Sequence, residues 1–137
     1  MATSSVSITG NLTRDPELRY TATGTGVASF GVAVNRRWQN RSTQEWEEDV
    51  SYFDVSCWEP LADNVAATLR RGDRVTVVGR LDQRSWEKDG EKRYAVQIVA
   101  DDVACSLRFA TAKVTRVERS APNGTTPPPA PAVAQAF

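Results

Sequence analysis

The sequence predicts an all-β fold: a small Greek-key barrel of five strands, with a single helix between the third and the fourth. Three observations predict it. Short runs of alternating apolar residues recur through residues 5–100, the period of half-buried strands. Only one stretch has helical spacing, with Leu61, Val65 and Leu69 recurring every four residues. That stretch then passes through Arg70, Arg71 and Gly72 into Val75, Val77, Gly79 and Leu81, so a helix end, a glycine stop and a strand follow in immediate succession.

Taken in order, Val6, Ile8, Gly10 and Leu12 alternate and define a first strand over residues 5–12. Thr13-Arg14-Asp15-Pro16 is a turn, because Pro16 fixes its own φ and biases Asp15 away from helix. Residues 17–20 resume the strand, and residues 21–26 are a flexible hairpin connection. The second strand covers residues 27–34, with Phe30, Val32 and Val34 on one face; Gly31, on the other, marks a bulge or a close approach of another backbone. Residues 35–49 are polar and read as a loop, and a loop this long in a compact domain goes with function or mobility. Val50, Tyr52, Phe53, Val55 and Trp58 make residues 50–58 the third strand. Pro60 suits the first helical position, and the helix ends near Arg71, with two arginines complementing its dipole. The fourth strand spans residues 74–86. Asp89-Gly90 supplies the positive φ of a hairpin turn, and residues 92–100 form the fifth strand with Tyr94, Val96 and Ile98 on one face. This is the element order of the oligonucleotide-binding (OB) barrel.

Residues 103–117, with Leu107, Phe109, Val114 and Val117, exceed what a barrel needs. From Ser120 the chain holds five of its seven prolines and many alanines, a composition that buries too little apolar surface to fold. The expected organisation is a folded unit over residues 1–117 and a disordered Pro/Ala-rich tail over 118–137.

Composition narrows the function classes. No apolar run approaches the roughly 20 residues of a membrane span, and the start lacks a basic n-region and an apolar core, so a cytoplasmic protein is expected. Histidine is absent, which removes the commonest general base and metal ligand. Cys57 and Cys105 are too few and too far apart for a structural zinc site; they read as reduced thiols, with a disulfide between subunits left open. No nucleophile–base pair, phosphate loop or metal cluster can be assembled, so neither an enzyme nor a cofactor is expected. Glu45, Glu47, Glu48 and Asp49 read as loop solvation. The 17 basic residues balance the 17 acidic ones, and all precede Ser120. Most of the basic residues are arginines, whose permanently charged plane stacks on bases.

Aromatic placement carries the positive signal. Trp38 follows Arg36 and Arg37. Trp58 ends the third strand, Trp86 ends the fourth just after Arg84, and Tyr52 shares a strand face with Trp58. Single-stranded nucleic acid is bound by rings that stack on bases, at about 1–3 kcal/mol each, and by cations that track phosphates. The competing use of an aromatic ring is core packing. Phe30, Tyr94 and Phe109 continue apolar faces and are expected in the core; Trp38 and Trp86 have polar neighbours and are expected at the surface. Periodicity leaves Tyr52, Phe53 and Trp58 undecided, although Tyr52 and Phe53 face opposite ways and one of them belongs to the core.

Ile8-Thr9-Gly10-Asn11-Leu12-Thr13-Arg14-Asp15-Pro16-Glu17-Leu18-Arg19-Tyr20 resembles the opening of bacterial single-stranded DNA-binding proteins. So do Leu69-Arg70-Arg71-Gly72-Asp73-Arg74-Val75, Gly79-Arg80-Leu81 and Gln83-Arg84-Ser85-Trp86, all in one unbroken order over about residues 4–110. The resemblance implies stacking aromatics at Trp38, Tyr52, Trp58 and Trp86, and basic contacts at Arg36, Arg37, Arg74, Arg84 and Arg93. It implies a homotetramer that wraps single-stranded DNA at the nucleoid, without strong sequence preference, in replication, recombination, repair or DNA uptake. Residues 106–114 resemble the extra C-terminal strand by which actinobacterial members clamp neighbouring subunits. Members that recruit other enzymes end in an acidic tip closing on Pro-Phe. Here Phe137 is present and no acid accompanies it, which implies a specialised paralogue that does not recruit partner enzymes through its tip. An RNA-binding OB barrel and a primosome-like adaptor stay open as alternatives.

Overall fold

The computed structural model describes residues 3–118. They form β1 (Val6–Leu12), β2 (Glu17–Tyr20), β3 (Gly26–Gln39), β4 (Trp46–Trp58), α1 (Leu61–Thr68), β5 (Arg74–Lys88) and β6 (Glu91–Cys105). The hydrogen-bonded order is β1-β5-β6-β4-β3-β2, and pairing of β1 with β3 closes β1, β3, β4, β5 and β6 into the expected five-stranded barrel. β2 lies on the same edge of β3 as β1 does: Leu12 stands opposite Val32, Glu17 opposite Ser29, and the Thr13 N–H donates to the Gly31 carbonyl at 2.9 Å between them. The two are halves of one strand interrupted at Pro16. β4 and β6 meet in a short parallel seam, Val55 with Ile98 and Ser56 with Val99.

The core follows from alternation. Phe30 and Val32 of β3, Val55 and Cys57 of β4, Val75 and Val77 of β5 and Ile98 of β6 are fully buried, each contributing about 1.5–3 kcal/mol if it is a large apolar side chain. Ala62 and Val65 of α1, and Leu69 just after it, join the same cluster. At Gly10 a Cβ would run into the Ala33 carbonyl, so the closing contact of β1 with β3 requires glycine there.

The helix stops at Thr68, earlier than its apolar spacing predicts, because Leu69 is already extended. Arg70 and Arg71 therefore sit in a separate turn. The Arg70 guanidinium donates to the Ala66 and Leu69 carbonyls at 2.9 and 2.7 Å, so it still caps the helix end. Asp73 accepts from the Arg70 N–H and Asp15 from the Arg71 N–H, both at 2.8 Å, and Gly72 takes the expected left-handed conformation, with φ +93°. Pro60 occupies the cap position rather than the first turn.

The largest departure concerns residues 35–49. They are not a loop: β3 runs on to Gln39 and β4 starts at Trp46, in unbroken register from Val27 opposite Trp58 to Gln39 opposite Trp46. Beyond Val34 both faces are solvated, so the apolar period disappears while the backbone ladder continues. Residues 40–45 make the turn, with the Asn40 carboxamide oxygen accepting from the N–H groups of Ser42 and Thr43 at 2.8 and 3.2 Å. β5 and β6 likewise extend past the barrel to the expected Asp89-Gly90 turn, where both φ values are positive. The molecule is thus a barrel with two long hairpin arms.

Two of the three aromatics expected in the core are outside it. Phe30 is buried, but Tyr94 is 58% exposed on the β5–β6 arm and Phe109 is 77% exposed beyond β6. Residues 106–118 form no strand within the chain, so the extra C-terminal strand is not built by this copy alone. The Pro/Ala-rich stretch from Ser120, with Phe137, lies outside the described residues. Cys57 is a buried and Cys105 an exposed free thiol. Among the described residues no helix is long and apolar enough to cross a membrane.

Candidate nucleic-acid interface

Strand alternation decides which side chains share a surface. On β4, Val55 and Cys57 point into the core, so Tyr52, Asp54, Ser56 and Trp58 point outward. Register resolves the choice between Tyr52 and Phe53: Phe53 packs against the core, and Tyr52 is 74% exposed. On β5, Val75 and Val77 point inward, which turns Arg80, Arg84 and Trp86 outward. Ser56 of β4 lies beside Val99 of β6, whose partner on β5 is Arg80, so the outward face is continuous across the three strands. Trp86 stands directly opposite Arg93 on that face, and Arg84 opposite Ala95. Arg37 belongs to the same outward face on β3, opposite Glu48.

Arg36 and Trp38 share the strand parity of Phe30 and Val32, so they emerge on the reverse face of the β3–β4 arm, opposite Asp49 and Glu47. Arg74 sits at the far end of β5 from Trp86. Its Nε donates to Ser106 Oγ at 3.2 Å and its guanidinium lies 5.6 Å from the Phe109 ring. The structure therefore places Tyr52, Trp58, Trp86, Arg37, Arg84 and Arg93 on one surface, Arg36 and Trp38 behind the arm, and Arg74 apart.

Two arginines of the arm lie on rings and not on the acids that face them. The acids Asp49 and Glu48 oppose Arg36 and Arg37 across the ladder, yet both arginines lie over rings: Arg36 over Trp38 at 4.8 Å and Arg37 over Trp46 at 4.7 Å. Among the described residues the ion pairs are Arg14–Asp54, Arg19–Glu17 and Arg93–Glu91, at 3.8, 2.7 and 3.6 Å. All are exposed, and such pairs contribute about 0–1 kcal/mol. Arg93 can exchange Glu91 for a phosphate at small cost. Rings flanked by arginines in this way can stack on bases while the guanidinium groups meet the backbone.

Trp46 is the exposed tryptophan that sequence reasoning left without a role. It fell inside a supposed loop, where no face could be assigned. The available signal was its spacing: Trp46 precedes Tyr52 by the interval that separates Tyr52 from Trp58.

Residues 3–106 match the model of the Single-strand binding protein family. The chain is 47% identical over 129 residues to the single-stranded DNA-binding protein of Mycobacterium tuberculosis, covering 93% of this chain and 79% of that one. It is 49% identical over 113 residues to single-stranded DNA-binding protein 2 of Streptomyces coelicolor, covering 81% of this chain and 57% of that one. Among solved structures it is similar to a Plasmodium falciparum SSB in complex with ssDNA, with a TM-score of 0.72 at 22% identity over 77% of this chain and 96% of that one, a likeness of fold. It is also similar to a small single-stranded DNA-binding protein from Streptomyces coelicolor, with a TM-score of 0.66 at 28% identity over 78% of this chain and 97% of that one. With a closed barrel, two aromatic arms and a family match over most of its length, the chain belongs to the Single-strand binding protein family.

Proposed function

We propose that this protein binds single-stranded DNA without strong sequence preference, by stacking bases on Tyr52, Trp58 and Trp86 of the outward face and on Trp38 behind the arm. Arg36, Arg37, Arg84 and Arg93 meet the phosphates. The carrying observation is that all four rings stay exposed on the strands, with Arg36 over the Trp38 ring and Arg93 directly opposite Trp86. Every base has a π-face, so such a surface tolerates any sequence. The role is protection of exposed strand in replication, recombination, repair or DNA uptake, at the nucleoid.

Titration with oligo-dT across salt concentrations tests the reading. Tryptophan emission falls on binding, and log K falls linearly with log salt, by about 0.7 per phosphate neutralised. Arg84→Ala makes that slope shallower by close to one such step, and Arg74→Ala leaves it unchanged. Unaltered emission at saturating oligo-dT rejects the proposal, and tighter binding of oligo-U than of oligo-dT transfers it to RNA.

The protein works as a homotetramer in this proposal. Leu107, Phe109, Val114 and Val117 are all exposed after β6, an apolar run that a neighbouring copy would cover as a clamp. Light scattering should give the mass of four copies; a monomer mass excludes the clamp. The folded unit is taken to end at residue 117 and the tail to occupy 118–137. Residues 120–137 hold no charged side chain, so this stretch has no side-chain carboxylate for a basic pocket on a partner enzyme.

A further inference from the structure

We infer that Trp46, backed by Arg37, is an additional base-stacking platform near the tip of the β3–β4 arm, extending the track of Tyr52 and Trp58. This rests on the reading of the protein as a binder of single-stranded DNA. Trp46, Tyr52 and Trp58 fall on one face of β4, because the ladder to β3 is unbroken along that whole strand. At about 3.3 Å per residue, successive rings stand roughly 20 Å apart along the strand. Trp46 thus carries the outward row beyond the barrel wall.

The ring has no structural task that accounts for its exposure. It is 59% exposed and stands opposite Gln39, at the mouth of the turn. The turn holds itself: the Asn40 N–H donates to the Glu45 carbonyl at 2.8 Å, and Gln39 Nε2 donates to the Gln44 carbonyl at 3.0 Å. A large apolar surface kept in water beside a cation is what a stacking site requires before its partner arrives. Arg37 covers one ring face at 4.7 Å and leaves the other for a base; its guanidinium is not drawn into an ion pair with Glu48 across the ladder. Trp38 with Arg36 repeats the pairing on the reverse face, so the arm offers a ring on each side. A strand that reaches both must pass round the arm, or two separate stretches must meet there.

The test uses Trp46 as its own reporter. Replacing Trp38, Trp58 and Trp86 by Phe leaves Trp46 as the sole tryptophan of the four in the chain. Binding of labelled oligo-dT is followed independently by anisotropy. Emission from Trp46 should fall in step with binding, a change that a merely structural Arg37–Trp46 contact would not produce. Unchanged emission with DNA bound overturns the inference and leaves the function standing. In the otherwise native chain, Trp46→Ala should weaken binding of long oligo-dT by about 5- to 100-fold, while Trp46→Phe keeps most of it. Full affinity in Trp46→Ala, with Trp58→Ala weakened, also overturns the inference. Failure of the unsubstituted chain to bind oligo-dT would instead remove the proposed function.

Discussion

β3 contains two environments in one strand. Its first half places Ala28, Phe30 and Val32 in the core, with no accessible surface; its end, residues 35–39, is exposed on both faces. The hydrogen-bond ladder to β4 is the same in both halves. In the barrel, apolar burial stabilises the strand. In the arm, cross-strand pairs of about 0.2–1 kcal/mol each have to suffice. Strand that continues after burial has stopped is strand available for contact with something outside the protein.

Three substitutions sharpen or break that division. Phe30→Ala removes the largest fully buried side chain and should cost about 3–5 kcal/mol of stability in denaturant unfolding. A smaller effect is written into Cys57, whose thiol is pushed up from 9.0 to about 11 by burial, partly opposed by its hydrogen bond with the Ala28 backbone. The unfolded chain ionises this thiol first, so the stability it contributes is intact below pH 9.0 and is lost as pH rises towards about 11, by roughly 3 kcal/mol in all. Unfolding curves of Cys57→Ala should lack that alkaline decline; parallel profiles for both proteins would contradict the assignment. At the lower end, Trp86→Ala should change stability by no more than about 0.5 kcal/mol. It should still weaken oligo-dT binding by about 1–3 kcal/mol. A melt as damaged as that of Phe30→Ala would make the arm part of the core and end the distinction.

The barrel was legible because half-buried strands advertise themselves: Phe30, Val32 and Val34 alternate, and Gly72 and Asp89-Gly90 stand where the chain needs positive φ. The arms were not. With both faces in water, residues 35–49 carry no period, and a ladder of backbone bonds leaves no mark on the side chains. Tyr94 and Phe109 failed for a related reason. Tyr94 shares the parity of the buried Ile98 but lies beyond the barrel wall, and Phe109 follows the end of β6; parity reports the face of a strand and not its depth. Trp38 and Trp86 were recognisable from their charged neighbours, whereas the choice between Tyr52 and Phe53 needed the register with β3 that only the folded chain supplies.

The unbroken β3–β4 ladder also imposes a rule of spelling on the arm. Each residue's face is fixed by counting from Phe30 and Val55 in the core, with no joint at which the count could restart. Inserting one residue into β3 beyond Val34 would exchange the outlooks of Arg36 and Arg37 and carry Trp38 round to the front. Adding two to each strand would lengthen the arm and keep every word in place. Arms of this kind can therefore grow or shrink only in even steps if their rings are to go on facing the way they do.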